Sequence, residues 1–426
     1  MTAAGDACDT HTAPLWRDRR FVRYWSGQTV SQLGDRVSEL ALPLIAVTTL
    51  EAGPAEVGAL TAAIWAPNLL SLVVGAWVDQ QRHKKRLLVV ANLVQAAAVA
   101  VLPVAHVAGF VSMWLLYAVA LVLGAGGVLY QTSYPSFFAR LVRRDQYVEA
   151  NSLLSATRSA SFIAGPALGG LLIQAVTAPV AMVIDAVSFL GSAFAIGSVS
   201  VEEPPVEGAG EGPGLWRRAV EGLRFLRRHH YLRATLGCST VINLFSFISF
   251  AVVILFASRT LQLDPGQIGV AFAVGAVGGL LGAMLAAPLA RWVGPGVAGT
   301  IGALTFVAPA AFIPLASGPD WAKMAVLAAT ELVASVGVML YDINVNSIQT
   351  AVTPDRMRSR SAGAYATVNY GIRPLGALLG GLLGEWVGVP ATLVIAGVGG
   401  CFGVIFLWRS PVMRIRRVDD LEAVEV

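Results

Sequence analysis

Charge is scarce in this chain. Only 13% of its 426 residues are Asp, Glu, Lys or Arg, against 56% hydrophobic, and mean hydropathy is +0.67. That balance excludes a soluble globular enzyme and puts long uncharged runs into a bilayer. Cysteine is rarer still: Cys8, Cys238 and Cys401 lie far apart and match neither a disulfide framework nor a zinc spacing. The five histidines stand in basic gaps (His83, His229, His230), in the tail (His11) or at a span end (His106), so no histidine sits beside an acid as a membrane-embedded enzyme would need. No Gly-Lys-Ser/Thr motif occurs, which removes Walker-type nucleotide hydrolysis. The polar, basic start from Met1 to Arg23 lacks the pattern of a cleaved export signal. A formal net charge of +4 hints at nucleic acid, but the cations sit in short gaps between apolar runs, and membrane topology explains them better than a polyanionic partner.

What is present is a series of apolar runs, at about 24–49, 57–78, 87–108, 112–134, 151–175, 180–199, 234–257, 267–290, 297–316, 322–349, 362–385 and 391–408. Twelve spans put both ends on one side, and alternate gaps on that side hold 25 of the 30 cations, so both termini are expected in the cytoplasm and the chain in the cell's inner membrane. Trp77, Trp114, Trp292, Trp321, Trp386 and Trp408 fall near span ends, where interfacial anchors belong. The stretch 200–233 differs: Glu202-Glu-Pro-Pro and a Gly-rich run precede a basic, helix-like segment from Trp216 to Arg233, read as a flexible linker and an interfacial amphipathic helix. It bisects the chain. Leu168-Gly-Gly-Leu-Leu172 recurs as Leu379-Gly-Gly-Leu-Leu383, and Leu129-Tyr130 as Leu340-Tyr341, both at an offset of 211. The expected fold is therefore all-α: a tail (1–23), a six-helix bundle (24–199), the linker (200–233), a second six-helix bundle (234–408) and a tail (409–426).

An ionisable group in hydrocarbon costs roughly 2.5–3.5 kcal/mol on insertion scales, so each one present needs a reason. In the first span Gln28, Gln32, Asp35 and Glu39 share one narrow helical stripe, with Arg36 beside it. In the tenth, Glu331, Ser335, Asp342, Asn346 and Gln349 do the same. Such faces look into a bundle or a wet cavity. Two readings stay open: a cavity that takes cationic or polar amphiphilic cargo and protons, or carboxylates held as structural glue by the counter-ions Arg36, Arg158 and Arg373. Gly275, Gly278, Gly279 and Gly282 loosely imitate a nucleotide loop but lie inside an apolar span, where helix packing is the better reading.

Between the second and third spans stands Gly75-Ala-Trp-Val-Asp79-Gln-Gln-Arg82-His-Lys84-Lys85-Arg86. Gly-x-x-x-Asp followed by basic residues resembles the signature loop of the major facilitator superfamily of secondary transporters. The resemblance covers about residues 15–410. It implies that Gly75 admits a neighbouring helix and that Asp79, with Arg82, Lys84 and Lys85, forms an ionic gating latch. It also implies that spans one, four, seven and ten line a central cavity. In the second half Ala286 and Ala290 replace the motif's glycine and aspartate, leaving Arg291. Gly165-Pro166-Ala-Leu-Gly169-Gly170 in the fifth span is similar to the helix-packing motif of the antiporter branches, except that Ser161 stands where another glycine is usual. The fourth span lacks the arginine common in proton-coupled drug antiporters. Gly27-Gln-Thr-Val-Ser-Gln-Leu-Gly-Asp35 with Ala41-Leu-Pro43, and Ala150-Asn151, look like the bacterial exporter branch that includes macrolide-efflux and enterobactin-exporter proteins. The resemblance implies a monomeric, non-enzymatic exporter of a small amphiphilic molecule, without a bound cofactor and driven by the proton gradient, with lipid as its other partner. An importer or uniporter of a small metabolite, or a transporter-shaped sensor, shares the same architecture.

Overall fold

The computed structural model describes residues 15–201, 215–354 and 357–417. The Gly-rich part of the linker and the extreme tails expected from the sequence lie outside the described residues. Asp18, in extended conformation, accepts a hydrogen bond from the Arg20 backbone N–H at 2.8 Å and so starts α1 (Arg19–Leu44). The first helix thus begins five residues before the apolar run, because a cap, not hydropathy, sets its start. Then follow α2 (Pro54–Gln80), α3 (Lys84–Ala108), α4 (Met113–Leu141), α5 (Tyr147–Val176) and α6 (Ala178–Ser198). After α7 (Leu215–Arg228) come α8 (His230–Thr260), α9 (Pro265–Val293), α10 (Pro295–Leu315), α11 (Asp320–Val352), α12 (Arg358–Trp386) and α13 (Val389–Trp408). No strand occurs among the described residues. Ten of these helices are long and apolar enough to cross a membrane. α1 and α12 match them in length but are less apolar.

The 211-residue offset read in the sequence returns as backbone geometry. α1 ends in a π-helical turn at Ile45–Thr49 and α8 in one at Phe256–Thr260, each followed by a left-handed residue, Glu51 (φ 52°) and Gln262 (φ 58°). The turn before α6 is made by Thr177 at φ 80° and the turn before α13 by Gly388 at φ 88°. Thr177 holds a conformation that glycine adopts freely, so its copy of the turn is the strained one.

Helices α1–α6 pack mainly on one another, as do α8–α13, and the two sets meet at two crossings, α2 with α12 and α5 with α9. A methyl group added at Gly58 would stand 2.6 Å from Gly381 Cα, and one added at Gly170 would stand 2.9 Å from Gly269 Cα. Backbones touch there only because no side chain intervenes. These four glycines form two pairs at the same 211 offset, 58 with 269 and 170 with 381. Both crossings lie at the end of the bundle opposite the tails, where one apolar core joins Ala41–Val47, Val57 and Leu60 to Val252–Ala257, Leu261 and Ile268. The Arg259 guanidinium closes that end by donating to the Val47 carbonyl at 3.1 Å. The glycine cluster of α9 packs on α11: methyl groups at Gly275 and Gly282 would press within 3 Å of Glu331 and Val336.

At the tail end, α7 is docked rather than lying free in the interface. Leu226 is buried in a cluster with Leu232, Val352 and Ala364, and Glu221 accepts from Arg360 at 3.0 Å. α4 runs on to Leu141, so Arg140 belongs to its last turn and not to the following gap.

Candidate functional site

Two adjacent cavities lie inside the bundle. The first, about 290 Å³, is walled by Phe162, Phe245, Phe247, Phe250, Phe272 and Phe306, with Arg36, Glu39 and Glu331 as its charged groups. The second, about 530 Å³, is polar: Gln28, Gln32 and Asp35 of α1 face Asn92 and Gln95 of α3, Tyr130, Gln131 and Tyr134 of α4, and Arg158 of α5. Arg36 lines both. Asp35 and Glu331 therefore stand in neighbouring chambers, not in the single vestibule that two acidic stripes suggest. The reason is helical geometry: Asp35 and Glu39 share a face, but four residues separate them by about 6 Å along the axis.

The α1 stripe is sorted by its partners. Arg36 Nη1 pairs with Glu39 Oε2 at 2.6 Å, and its guanidinium lies over the Phe162 ring at 4.9 Å from the centroid. Glu39 is therefore neutralised within the first cavity. Glu331, in contrast, forms no ion pair among the described residues, and the one cation among those lining its cavity, Arg36, is already paired with Glu39. Gln28 accepts a hydrogen bond from the Tyr130 hydroxyl, at the head of a stack in which Tyr130 and Tyr134 lie 6.5 Å apart with nearly parallel rings. The Gln32 side-chain oxygen and Arg36 Nε are buried without hydrogen-bond partners, so both have bonding capacity that a ligand or water inside the cavities would satisfy.

The remaining expected site residues separate into those the fold brings here and those it does not. Arg158 lines the polar cavity with Asp35 but forms no ion pair among the described residues, so it is no direct counter-ion. Arg373 likewise forms no direct ion pair with a carboxylate among the described residues, although it stands within electrostatic reach of Asp342. Its Nε donates to Asn243 Oδ1 at 3.0 Å, and its guanidinium is caged by Trp65, Phe247 and Tyr370 at 4.4–4.9 Å. Asp342 lines neither cavity. It shares the Glu331 stripe, yet eleven residues carry it about 16 Å further along α11 toward the tail end.

The expected gating loop lies at the tail end of α2 and the start of α3. A methyl group at Gly75 would meet only Thr132, at an ordinary 3.7 Å, so no helix approaches closely there. Asp79 is exposed and forms no ion pair among the described residues. Lys84 is buried and donates to the Val78 carbonyl, closing the end of α2, while Arg82 is exposed and Lys85 half-buried. The fifth-span motif, in contrast, sits at contacts. A methyl group at Gly165 would stand 2.5 Å from Arg36 Cγ, and one at Gly169 would stand 3.3 Å from Val37 Cα. Pro166 offers its carbonyl edge to Gly269, and Gly170 makes the crossing with α9. Gly165 is thus the notch in which the Arg36 side chain lies.

One buried carboxylate escaped the sequence reading. Asp185 of α6 is fully buried behind Gly34, accepting hydrogen bonds from Ser38 and, at 3.0 Å, from Ser188. Its signal was available: Asp185, Ser188 and Ser192 recur at helical spacing on one face of an apolar run.

Long apolar helices around polar, charge-lined chambers define a multi-pass integral membrane protein. The family model of the Major Facilitator Superfamily matches residues 24–377, and the chain belongs to that superfamily. It is 29% identical over 393 residues to the multidrug efflux pump Tap of Mycobacterium tuberculosis (strain ATCC 25618 / H37Rv), covering 89% of this chain and 91% of that one. It is 26% identical over 247 residues to macrolide efflux protein A of Streptococcus pyogenes, covering 56% and 58%. Among solved structures, an inward-facing, occupied bacterial homologue of the human lysosomal transporter Spinster superposes with a TM-score of 0.71 at 13% identity, covering 97% of this chain and 100% of that one, a likeness of fold alone.

Proposed function

We propose that the protein exports small amphiphilic cations across the cell's inner membrane by alternating access, exchanging them for protons. The observation that carries this reading is Glu331: a carboxylate that forms no ion pair among the described residues, set among six phenylalanine rings. Aromatic faces attract cations and apolar surface alike, and an unpaired acid in such a wall favours a positively charged, hydrophobic guest. Asp35, in the adjoining polar chamber with Arg158, is the group assigned to proton exchange. Arg36, which touches both chambers, is the route by which the charge state of one acts on the other.

In this reading α1–α6 and α8–α13 are the two six-helix halves of a monomer, twelve spans in all, with both tails cytoplasmic. The 211-residue recurrence of turns and glycine crossings supports the two halves, and the distribution of basic residues supports the orientation. The closed end is then the outer one, so the conformation is ready to receive cargo from the cytoplasm. The efflux activities named for the two sequence relatives support the outward direction.

The test is transport by inverted membrane vesicles, with a fluorescent lipophilic cation as probe and an imposed proton gradient. Glu331→Gln is expected to lower gradient-driven cation transport at least tenfold. Asp35→Asn should abolish the response to the gradient while leaving cation binding intact. Gradient-driven flux at wild-type level in Asp35→Asn removes its proton role; the same result in Glu331→Gln removes the cargo assignment.

A further inference from the structure

At the tail end, α9 stops at Val293, Gly294 turns with φ 90°, and α10 starts at Pro295. The segment after α13 is packed onto this turn. Val412 and Ile415 are buried in the core that α8 and α10 share, and Thr300 Oγ1 donates to Met413 Sδ at 3.1 Å. A methyl group at Gly294 would stand 2.5 Å from the Ile415 carbonyl oxygen, and one at Gly296 would overlap that of Val412. The path of the segment is therefore fixed by backbone contact, and it delivers Arg416 and Arg417 to the rim of a cavity of about 700 Å³ that Arg291 also lines.

No carboxylate lines this cavity, and none of the three arginines forms an ion pair among the described residues. At the repeat-related position the first half has Asp79, but here Ala290 stands in its place. Three like charges gathered around one space repel one another, and packing holds them there with no counter-charge among the described residues. A guanidinium cluster of this kind matches the paired oxygens of a phosphate group. Trp292, on the same rim, is 82% exposed, and Met284 and Leu285 on α9 are 67% and 51% exposed. One flank of the cavity therefore carries exposed apolar side chains near the end of α9, where a spanning helix meets the headgroups.

We infer that Arg291, Arg416 and Arg417 form a binding site for a phosphate group, supplied by the headgroup of an anionic phospholipid. The site is independent of the cargo chambers. The experiment uses the full-length protein, purified in detergent, and measures retention of phosphatidylglycerol, phosphatidylcholine and inorganic phosphate by native mass spectrometry and by competition with a fluorescent phosphatidylglycerol. Phosphatidylglycerol should be retained over phosphatidylcholine, with affinity falling roughly fivefold for each arginine changed to alanine. The triple variant Arg291→Ala, Arg416→Ala, Arg417→Ala should elute and melt as wild type does. Displacement of the lipid by millimolar inorganic phosphate alone would keep the phosphate site but assign it to the free ion. Equal retention of both lipids, or unchanged retention in a folded triple variant, overturns the inference. So does binding that emerges only when residues 418–426 are removed, since the chain's own acidic end would then be the occupant.

Discussion

Arg36 is the residue on which the two chambers depend. It reaches Glu39 at 2.6 Å, covers Phe162, and lies in the notch at Gly165. The ion pair is partly exposed, with side-chain accessibilities of 27% and 46%, so its own contribution to stability is small, about 1 kcal/mol or less. Its larger effect is on charge inside an apolar wall: without Arg36, Glu39 becomes a second uncompensated acid beside Glu331. Glu39→Gln leaves the Arg36 guanidinium unpaired against Glu331 and is expected to cut cation transport severalfold, Arg36→Gln leaves two free acids and should hold the cation more tightly, and the double variant should return close to wild type. Transport and cation-binding assays on the three variants give the coupling directly. Losses in all three variants would mean that Arg36 acts on something other than Glu39. Repeat symmetry adds a detail. Arg36 over Phe162 in the first half corresponds, at offset 211, to Phe247 under Arg373 in the second, with the two partners exchanged between helices.

At the scale of elements, the crossings at Gly58–Gly381 and Gly170–Gly269 make a sharp prediction because two rules oppose. Replacing an interior helical glycine by alanine ordinarily stabilises a helix by about 1 kcal/mol. Gly191 has nothing within 4 Å of an added methyl group, so Gly191→Ala should follow that rule and raise the melting temperature slightly. Gly170→Ala should do the reverse, because its methyl group would stand 2.9 Å from Gly269 Cα and force two backbones apart. Thermal unfolding in detergent distinguishes them, and a Gly170→Ala protein as stable as Gly191→Ala would mean the crossing is loose. Such contacts were only half legible in the sequence. Hydropathy and capping locate helices to within a few residues, and the recurrence of Leu168–Leu172 at Leu379–Leu383 flagged a repeat. Which glycine meets which depends on how helices pack, and no local pattern carries it. The same limit hid the far walls of the polar chamber: Asn92, Gln95 and Gln131 look unremarkable along the chain and acquire meaning only when α3 and α4 bring them opposite Asp35. Asp79 shows the other limit: its motif is plain in the sequence, but which partners a charged loop takes depends on conformation, and no sequence records one.

For the whole molecule, contacts between α1–α6 and α8–α13 concentrate at the end away from the tails: two glycine crossings, the shared apolar core and the Arg259–Val47 hydrogen bond. At the other end Asp79 is exposed and α7 spans the gap by docking on α12. In the proposed alternating-access reading, a body sealed at one end is one of two states, and that seal must break once in each cycle. Thr48 and Arg259, both exposed, flank the Arg259–Val47 hydrogen bond across it. In a background with Cys8, Cys238 and Cys401 replaced by serine, the pair Thr48→Cys and Arg259→Cys should be joined by a short bifunctional thiosulfonate. The cross-linked protein should still bind the cation from the tail side, and net transport should stop until a reductant cleaves the link. Transport that continues through the cross-linked form would show that the two sets of helices need not part at that end, and the rocking description would have to give way to one in which cargo leaves by another path.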